Sequence, residues 1–133
     1  MRIVNEQRLD TYRAATRCEY CKRALRGKAE PHHILTRAVC RLDVSPNIIA
    51  LGNSFECGCH ARIHNAEIAR CDFLAVVSQR EGLVFSEREW LNAVYLFVRA
   101  PKNADAEWFR SECEGWSLGE RELVRRIWSE VQQ

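Results

Sequence analysis

Histidine and cysteine are concentrated in one window of this 133-residue chain. All four histidines lie between positions 32 and 64, and five of the seven cysteines lie between positions 18 and 59. Imidazole and thiolate are the main protein ligands of zinc and related divalent metals. The clustering therefore predicts that the first half of the chain folds around bound metal.

Four of the cysteines form two closely spaced pairs. Cys18-x-x-Cys21 places two thiolates on one turn, with the local geometry that zinc requires. Cys57-x-Cys59 supplies a second pair later in the chain. Together the four thiolates are expected to close a tetrahedral, four-cysteine structural zinc site. Buried thiols without metal are the competing interpretation.

The remaining cysteines and the expected location bear on this choice. The chain has no signal-peptide pattern and no apolar stretch of about 20 residues that would span a membrane. The cytoplasm is therefore expected, where thiols stay reduced and seven cysteines favour metal binding or burial over disulfides. Cys40 is an alternative zinc ligand. Cys71 and Cys113 occupy apolar helical positions and are predicted to be core residues.

The histidines form two groups with different spacing. His60 and His64 lie four residues apart, which places both imidazoles on one face of a helix. His32 and His33 are adjacent in a predicted strand, so their side chains point to opposite faces. One of these two is therefore expected to complete a three-histidine metal site. The other faces the substrate, where a free imidazole is a suitable general base.

Hydrophobic patterning predicts an α+β fold. Two short strands are predicted over 30–35 and 47–51, after an N-terminal helix over 3–15. A helix is predicted to begin at Cys59 and to continue toward Val77.

The second half of the chain is predicted to be helical. Capping boxes begin at Ser86 and at Ser117, and a shorter helix is predicted over 104–113. Residues 1–75 are expected to form a zinc-bearing core, with a helical extension over 76–133 packed on it as one compact domain. The four tryptophans are interpreted as packing residues: Trp90, Trp108, Trp116 and Trp128.

Charge is unevenly distributed along the chain. Residues 1–70 contain 12 Lys and Arg against 7 Asp and Glu, whereas residues 71–133 contain 8 against 11. The net charge of +2 therefore averages a basic half and an acidic half. A basic face could bind a polyanion such as nucleic acid, although solvated charges that cluster by chance are the simpler explanation.

Four motifs follow one another over residues 17–68: Cys-x-x-Cys, Glu-x-His-His-Ile, Asn-Ile-Ile-Ala-Leu and Cys-His-x-x-x-His. Their order resembles the HNH endonuclease family, in its variety with a zinc held by four cysteines. The segment Arg-Leu-Asp-Val-Ser-Pro-Asn over 41–47 also resembles the family. The resemblance implies an α+β chain with a small ββα-metal core, a structural zinc knuckle, an N-terminal helix and a C-terminal helical extension.

The resemblance also implies roles for the histidines. A catalytic divalent ion, which is Mg²⁺, Mn²⁺ or another transition metal, would be bound by His32, His60 and His64. His33 matches the general base that activates water. Asn47 matches the residue that holds the loop and helps to orient this base.

Other positions in the matched region carry further expectations. Glu30 matches an acidic residue that some members place behind the metal ligands. Arg37 and Arg62 are candidates for contacts with substrate phosphates. Gly52 is a departure, because members with a four-cysteine zinc usually have a cysteine directly after the second strand. The loop from Gly52 to Cys57 is correspondingly long.

Two classes of function follow. The resemblance implies an endonuclease of phage or prophage type that hydrolyses phosphodiester bonds of double-stranded DNA, with a second copy of the chain or a phage protein as an additional partner. The alternative is a non-catalytic, zinc-stabilised module that binds nucleic acid or protein. His33 discriminates between them, because a structural zinc module does not need a histidine pair. A thiol redox function is disfavoured, since no βαβ pattern accompanies the Cys-x-x-Cys motif.

Overall fold

A two-stranded antiparallel sheet carries the adjacent histidines. The computed structural model describes residues 1–133. Strand β1 spans Glu30–His33 and β2 spans Ile48–Leu51, with His33 opposite Ile48 in the register. Every residue of β2 is buried, which explains its continuous run of apolar side chains. The sequence therefore predicted both strands, although β1 ends two residues earlier than expected.

Six helices surround this sheet, so the α+β class is confirmed. They are α1 (Glu6–Arg13), α2 (Cys59–His64), α3 (Arg70–Glu81), α4 (Glu87–Arg99), α5 (Ala106–Glu112) and α6 (Leu118–Val131). The first helix is shorter than the predicted range of 3–15. Asn5 caps it by accepting a hydrogen bond from the backbone N–H of Arg8 at 2.9 Å, while Ile3 forms a parallel bridge with Leu42.

The prediction of one helix from Cys59 toward Val77 is wrong. The helix ends at His64, and a turn separates it from α3. In this turn Ala66 has φ +58°, the N–H of Ala66 donates to the carbonyl of Ile63, and the N–H of Glu67 donates to the carbonyl of Arg62. These bonds form a Schellman ending, which normally has glycine at the position of Ala66. The end of α2 at this point could not be predicted from the sequence, because an alanine occupies the position where glycine is usual.

The two helix starts predicted from capping boxes are confirmed, and α5 is shorter than the predicted range of 104–113, because Asp105 caps it. Ser86 and Ser117 each cap a helix, reciprocally with Glu89 and Glu120 respectively. Helices α4 and α6 pack against each other. Trp90 of α4 is fully buried and donates its indole N–H to the carbonyl of Pro46 at 2.8 Å. This bond joins the helical half to the turn that precedes β2.

A single hydrophobic core runs through both halves of the chain. A contiguous cluster of 25 buried residues includes Leu51 from β2, Phe73 from α3 and Leu123 from α6. The other three tryptophans are partly buried against this cluster, which fits their interpretation as packing residues: Trp108, Trp116 and Trp128. No helix combines the length and the apolar character that a bilayer crossing demands.

Candidate metal centres

Four cysteine thiols converge at one point between the N-terminal segment and α2. The Sγ atoms of Cys18, Cys21, Cys57 and Cys59 all lie within 4.8 Å of one another. Four sulfurs bound to one zinc at about 2.3 Å would be separated by roughly 3.8 Å, which requires only a small contraction of this cluster. All four cysteines are free thiols. Their number, chemistry and spacing therefore fit a tetrahedral zinc ion.

The local backbone explains why these thiols meet. The N–H of Lys22 donates to the carbonyl of Cys18 at 2.9 Å, which closes a turn that contains both Cys18 and Cys21. Lys22, directly after Cys21, has φ +69° and ends this turn. Gly58 has φ +74° and precedes the first residue of α2, Cys59. This left-handed residue turns Cys59 toward the other thiols.

Hydrogen bonds within the thiol cluster alter the acidity of its members. Burial raises the pKa of Cys21 and of Cys59. Burial would also raise the pKa of Cys57. Hydrogen bonds from the backbone N–H of Cys59 and from the neighbouring thiols outweigh this effect and lower the pKa of Cys57 to about 7. Because metals bind the thiolate form, Cys57 is partly prepared for binding at neutral pH.

Gly52 shows why this chain departs from the usual cysteine position. A Cβ atom at residue 52 would collide with the Sγ of Cys57 and would lie 3.0 Å from Leu25 Cδ2. The sulfur of Cys57 therefore occupies the space that a side chain at residue 52 would need. The long loop brings Cys57 back to the end of β2, and glycine leaves room for it.

The other three cysteines lie outside the cluster. Cys40 is not part of it, and its Sγ donates to the carbonyl of Met1 at 3.2 Å, so the alternative ligand is not supported by the geometry. Cys113 is buried, as predicted. The prediction of a core position for Cys71 is wrong, because Cys71 is exposed in the first turn of α3. The helix break after His64 changes which face α3 turns to the core.

Three imidazoles form a second cluster. Ring nitrogens of His32, His60 and His64 lie within 4.8 Å of one another. The ring centroids of His60 and His64 are 5.0 Å apart, and that of His32 lies 5.2 Å from His60. Glu30 Oε1 lies 3.3 Å from His60 Nδ1. A carboxylate in this position orients the imidazole of a metal ligand and leaves Nε2 for the ion.

The environment of His32 favours its neutral form. Burial of the ring and the neighbouring His60, His64 and His33 lower the pKa of His32 to about 4. Neutral imidazole is the form that binds a metal ion. Three nitrogens with an open side also match catalytic sites, which leave a coordination position free. The donor set therefore fits a divalent transition metal.

His33 lies on the opposite face of β1 and has a different partner. Its Nε2 lies 2.7 Å from Asp43 Oδ1, and Asp43 is fully buried. Burial alone would raise the pKa of Asp43, but Arg41, the backbone N–H of Asn5 and His33 hold this pKa below its usual value. An ionised carboxylate can only accept, so Nε2 of His33 is the donor, and in the neutral ring the lone pair is on Nδ1.

Asp43 is the site residue that sequence reasoning missed. It lies in the segment that resembles the HNH family, between Arg41 and Asn47, yet the sequence alone assigned it no role. Arg41 approaches its Oδ2 with Nη2 at 2.7 Å and Nε at 2.9 Å. An acidic residue flanked by Leu42 and Val44 was the only available indication, because ionised side chains between apolar neighbours are rarely buried without a partner.

Asn47 holds the loop that follows β1. Its Oδ1 accepts from the N–H of Leu35 at 2.7 Å, and its Nδ2 donates to the carbonyl of Leu42 at 3.0 Å. Its backbone carbonyl accepts from the N–H of Ile34 at 2.9 Å. These bonds reach residues that flank His33 and Asp43 rather than the imidazole itself. The observed role of Asn47 is therefore to fix the loop between His33 and Asp43.

All four histidines line one open cleft of about 630 Å³. Lys28 and Arg37 also line it, and neither forms an ion pair, so both retain their charge for a ligand. Arg62 does not line the cleft, and its Nε lies 3.3 Å from Glu67 Oε2. Of the two arginines expected to contact phosphates, only Arg37 lines the cleft with the histidines. Lys28 also lines it and was not predicted from the sequence.

No family model matches this chain, and neither a curated protein nor a solved structure shows significant similarity to it.

Proposed function

We propose that this chain is a metal-dependent HNH endonuclease with a ββα-metal core, and that it hydrolyses phosphodiester bonds of DNA. One observation carries the proposal. A three-imidazole cluster and a separate imidazole with a buried carboxylate partner line the same cleft. The strand–strand–helix order of β1, β2 and α2 brings these groups together. Metal-assisted hydrolysis needs both a metal site and a nearby base.

The proposed mechanism assigns a role to each group in the cleft. His32, His60 and His64 would hold the divalent ion, for which Mn²⁺ or another transition metal suits three imidazoles better than Mg²⁺, and the ion would supply charge stabilisation for the phosphate and the leaving 3′ oxygen. His33 Nδ1 removes a proton from the water that attacks phosphorus, while the bond to the 3′ oxygen breaks. Asp43 holds the ring and stabilises the imidazolium that forms.

Substrate binding falls to the free cations of the cleft. Lys28 and Arg37 line the cleft, and their proposed role is to contact substrate phosphates near the scissile bond. Double-stranded DNA is the proposed substrate, and the zinc of the four cysteines is proposed to be structural. A second copy of the chain or a phage protein is a proposed additional partner.

The non-catalytic alternative uses fewer of the observed features. A zinc-stabilised binding module needs only the thiol cluster to hold its fold. It gives no reason for a second cluster of three imidazoles, or for a buried carboxylate at His33. These features support the enzyme.

The test is plasmid cleavage by purified protein. Supercoiled plasmid should be nicked or linearised with Mg²⁺ or Mn²⁺, and EDTA should stop the reaction. His33→Ala should abolish cleavage, and His33→Gln, whose amide nitrogen can take the place of Nε2 and donate to Asp43, should do the same while keeping the fold intact. Arg88→Ala, at an exposed position on α4 away from the cleft, is the control and should cleave normally. Normal cleavage by both His33 variants would refute the mechanism, and a zinc-loaded parent without any nicking would favour the binding module.

A further inference from the structure

Phe55 is the most exposed aromatic side chain of the protein. It is 87% exposed, in the loop between β2 and α2. An aromatic ring in water forgoes the stabilisation that burial would give it. Single exposed apolar side chains are common on protein surfaces, so exposure alone does not indicate a role.

The loop that carries Phe55 is held on several sides. The N–H of Phe55 donates to Asn53 Oδ1 at 2.9 Å, and the N–H of Gly58 donates to the carbonyl of Asn53 at 2.8 Å. Glu56 accepts from the N–H groups of Arg26 and Gly27, both at 3.2 Å. The ring is thus presented by a backbone that is already fixed, which lowers the entropic cost of binding.

The position of this loop connects it to the histidine cleft. Asn53 and Lys28 line the cleft. Phe55 and Arg26 each lie two residues away from one of them along the chain, and the Arg26 guanidinium donates to the carbonyl of Phe55 at 3.0 Å. The exposed ring therefore lies beside the exposed Arg26 side chain, whose Nε is 3.9 Å from Glu56 Oε1. Neither residue lines the cleft itself, but each is two positions from a residue that does.

We propose that Phe55 stacks on a nucleobase next to the scissile phosphate and partly unstacks the duplex there. This inference rests on the proposed function, in that DNA is taken as the ligand of the cleft. The ring supplies a sequence-tolerant face for a base, and Arg26 contacts the backbone of the same nucleotide. The site selects DNA that is easily unstacked, such as a mismatched or flexible base step.

The experiment measures binding rather than cleavage. Zinc-loaded protein without added Mg²⁺ or Mn²⁺ is titrated into two short fluorescein-labelled duplexes, one fully paired and one with a single mismatch, and Kd is read by fluorescence anisotropy. The variants are Phe55→Ala and Phe55→Trp. Val84→Ala is the matched control, because Val84 is 91% exposed and lies outside the cleft. Thermal melts should be unchanged for all three.

The parent should bind the mismatched duplex more tightly than the paired one. Phe55→Ala should weaken binding by about tenfold and remove this preference, and Phe55→Trp should retain both. The proposal is overturned if Phe55→Ala behaves like Val84→Ala, or if it weakens both duplexes equally. A parent that binds neither duplex would instead contradict the proposed function, so the two failures are distinguishable.

Discussion

The pairing of His33 with Asp43 fixes where the proton of this imidazole lies. Asp43 receives bonds from His33, from Arg41 and from the backbone N–H of Asn5. Its charge is thereby compensated at a position with no exposure to solvent. A histidine held in this way presents one defined nitrogen to the cleft rather than a mixture of tautomers.

Asp43→Asn should lower the free energy of unfolding by about 3 kcal/mol at pH 7, because Arg41 loses its buried partner. Since the folded-state pKa of Asp43 lies below its unfolded value, its contribution is full above about pH 4 and is lost as the pH falls through the folded-state pKa. Urea unfolding of both proteins across a range from about pH 3 to about pH 7 measures the difference. If the difference in free energy of unfolding between the two proteins grew toward low pH, the folded-state pKa of Asp43 would not lie below its unfolded value.

Cys21 and Cys71 allow the thiol cluster to be tested with a matched pair, since both are exposed and only Cys21 belongs to the cluster. Elemental analysis should find about one zinc per parent chain. Cys21→Ser should lower zinc content and melting temperature, and Cys71→Ser should change neither. A fully folded parent without metal would remove the basis for a structural zinc.

At the scale of elements, the turn between α2 and α3 contains an unusual backbone conformation. Ala66 adopts the left-handed conformation that ends α2 directly after His64. A non-glycine residue in that conformation costs about 1 kcal/mol. Two backbone hydrogen bonds stabilise this turn. The N–H of Ala66 donates to the carbonyl of Ile63, and the N–H of Glu67 donates to the carbonyl of Arg62.

Ala66→Gly should therefore raise the free energy of unfolding by about 0.5 kcal/mol, after allowance for the greater freedom of glycine in the unfolded chain. The same substitution at Ala61, inside α2, should lower it by about 1 kcal/mol. Chemical denaturation of both variants gives the comparison. Equal destabilisation would show that the turn does not strain residue 66.

These elements also show what the sequence could reveal. Ser86 and Ser117 predicted their helices because a capping box acts within four residues. The alternation of a strand placed His32 and His33 on opposite faces, as found. The roles of Ala66 and Asp43 were not predicted, because a left-handed alanine and the partner of a buried carboxylate are decided by tertiary packing. The need for glycine at position 52 was also not predicted, because it depends on where the sulfur of Cys57 lies in the fold.

At the scale of the whole molecule, two carboxylates of the acidic half are nearly buried and paired with arginines. Glu130 pairs with Arg8 at 3.0 Å, and Glu81 pairs with Arg126 at 3.0 Å. In contrast, Arg37 is unpaired at the cleft. The unpaired cations at the cleft are therefore the ones available to attract a polyanion to it.

The proposed DNA binding should weaken steeply with salt, and Arg37→Ala should reduce the slope of log K against log salt concentration by about one. Arg88→Ala removes the same charge at an exposed position outside the cleft and should leave the slope unchanged. Anisotropy titrations at several salt concentrations measure both slopes. Identical slopes for the two variants would argue against a phosphate contact at Arg37.

Helix α2 has only six residues, yet it contributes to both clusters. Cys59 belongs to the thiol cluster, and His60 and His64 belong to the imidazole cluster. An ion that fixes one end of this short helix also reduces the freedom of the other end. We therefore expect the metal affinities of the two proposed sites to be linked. Thermodynamic reciprocity requires that each ion changes the binding of the other by the same factor.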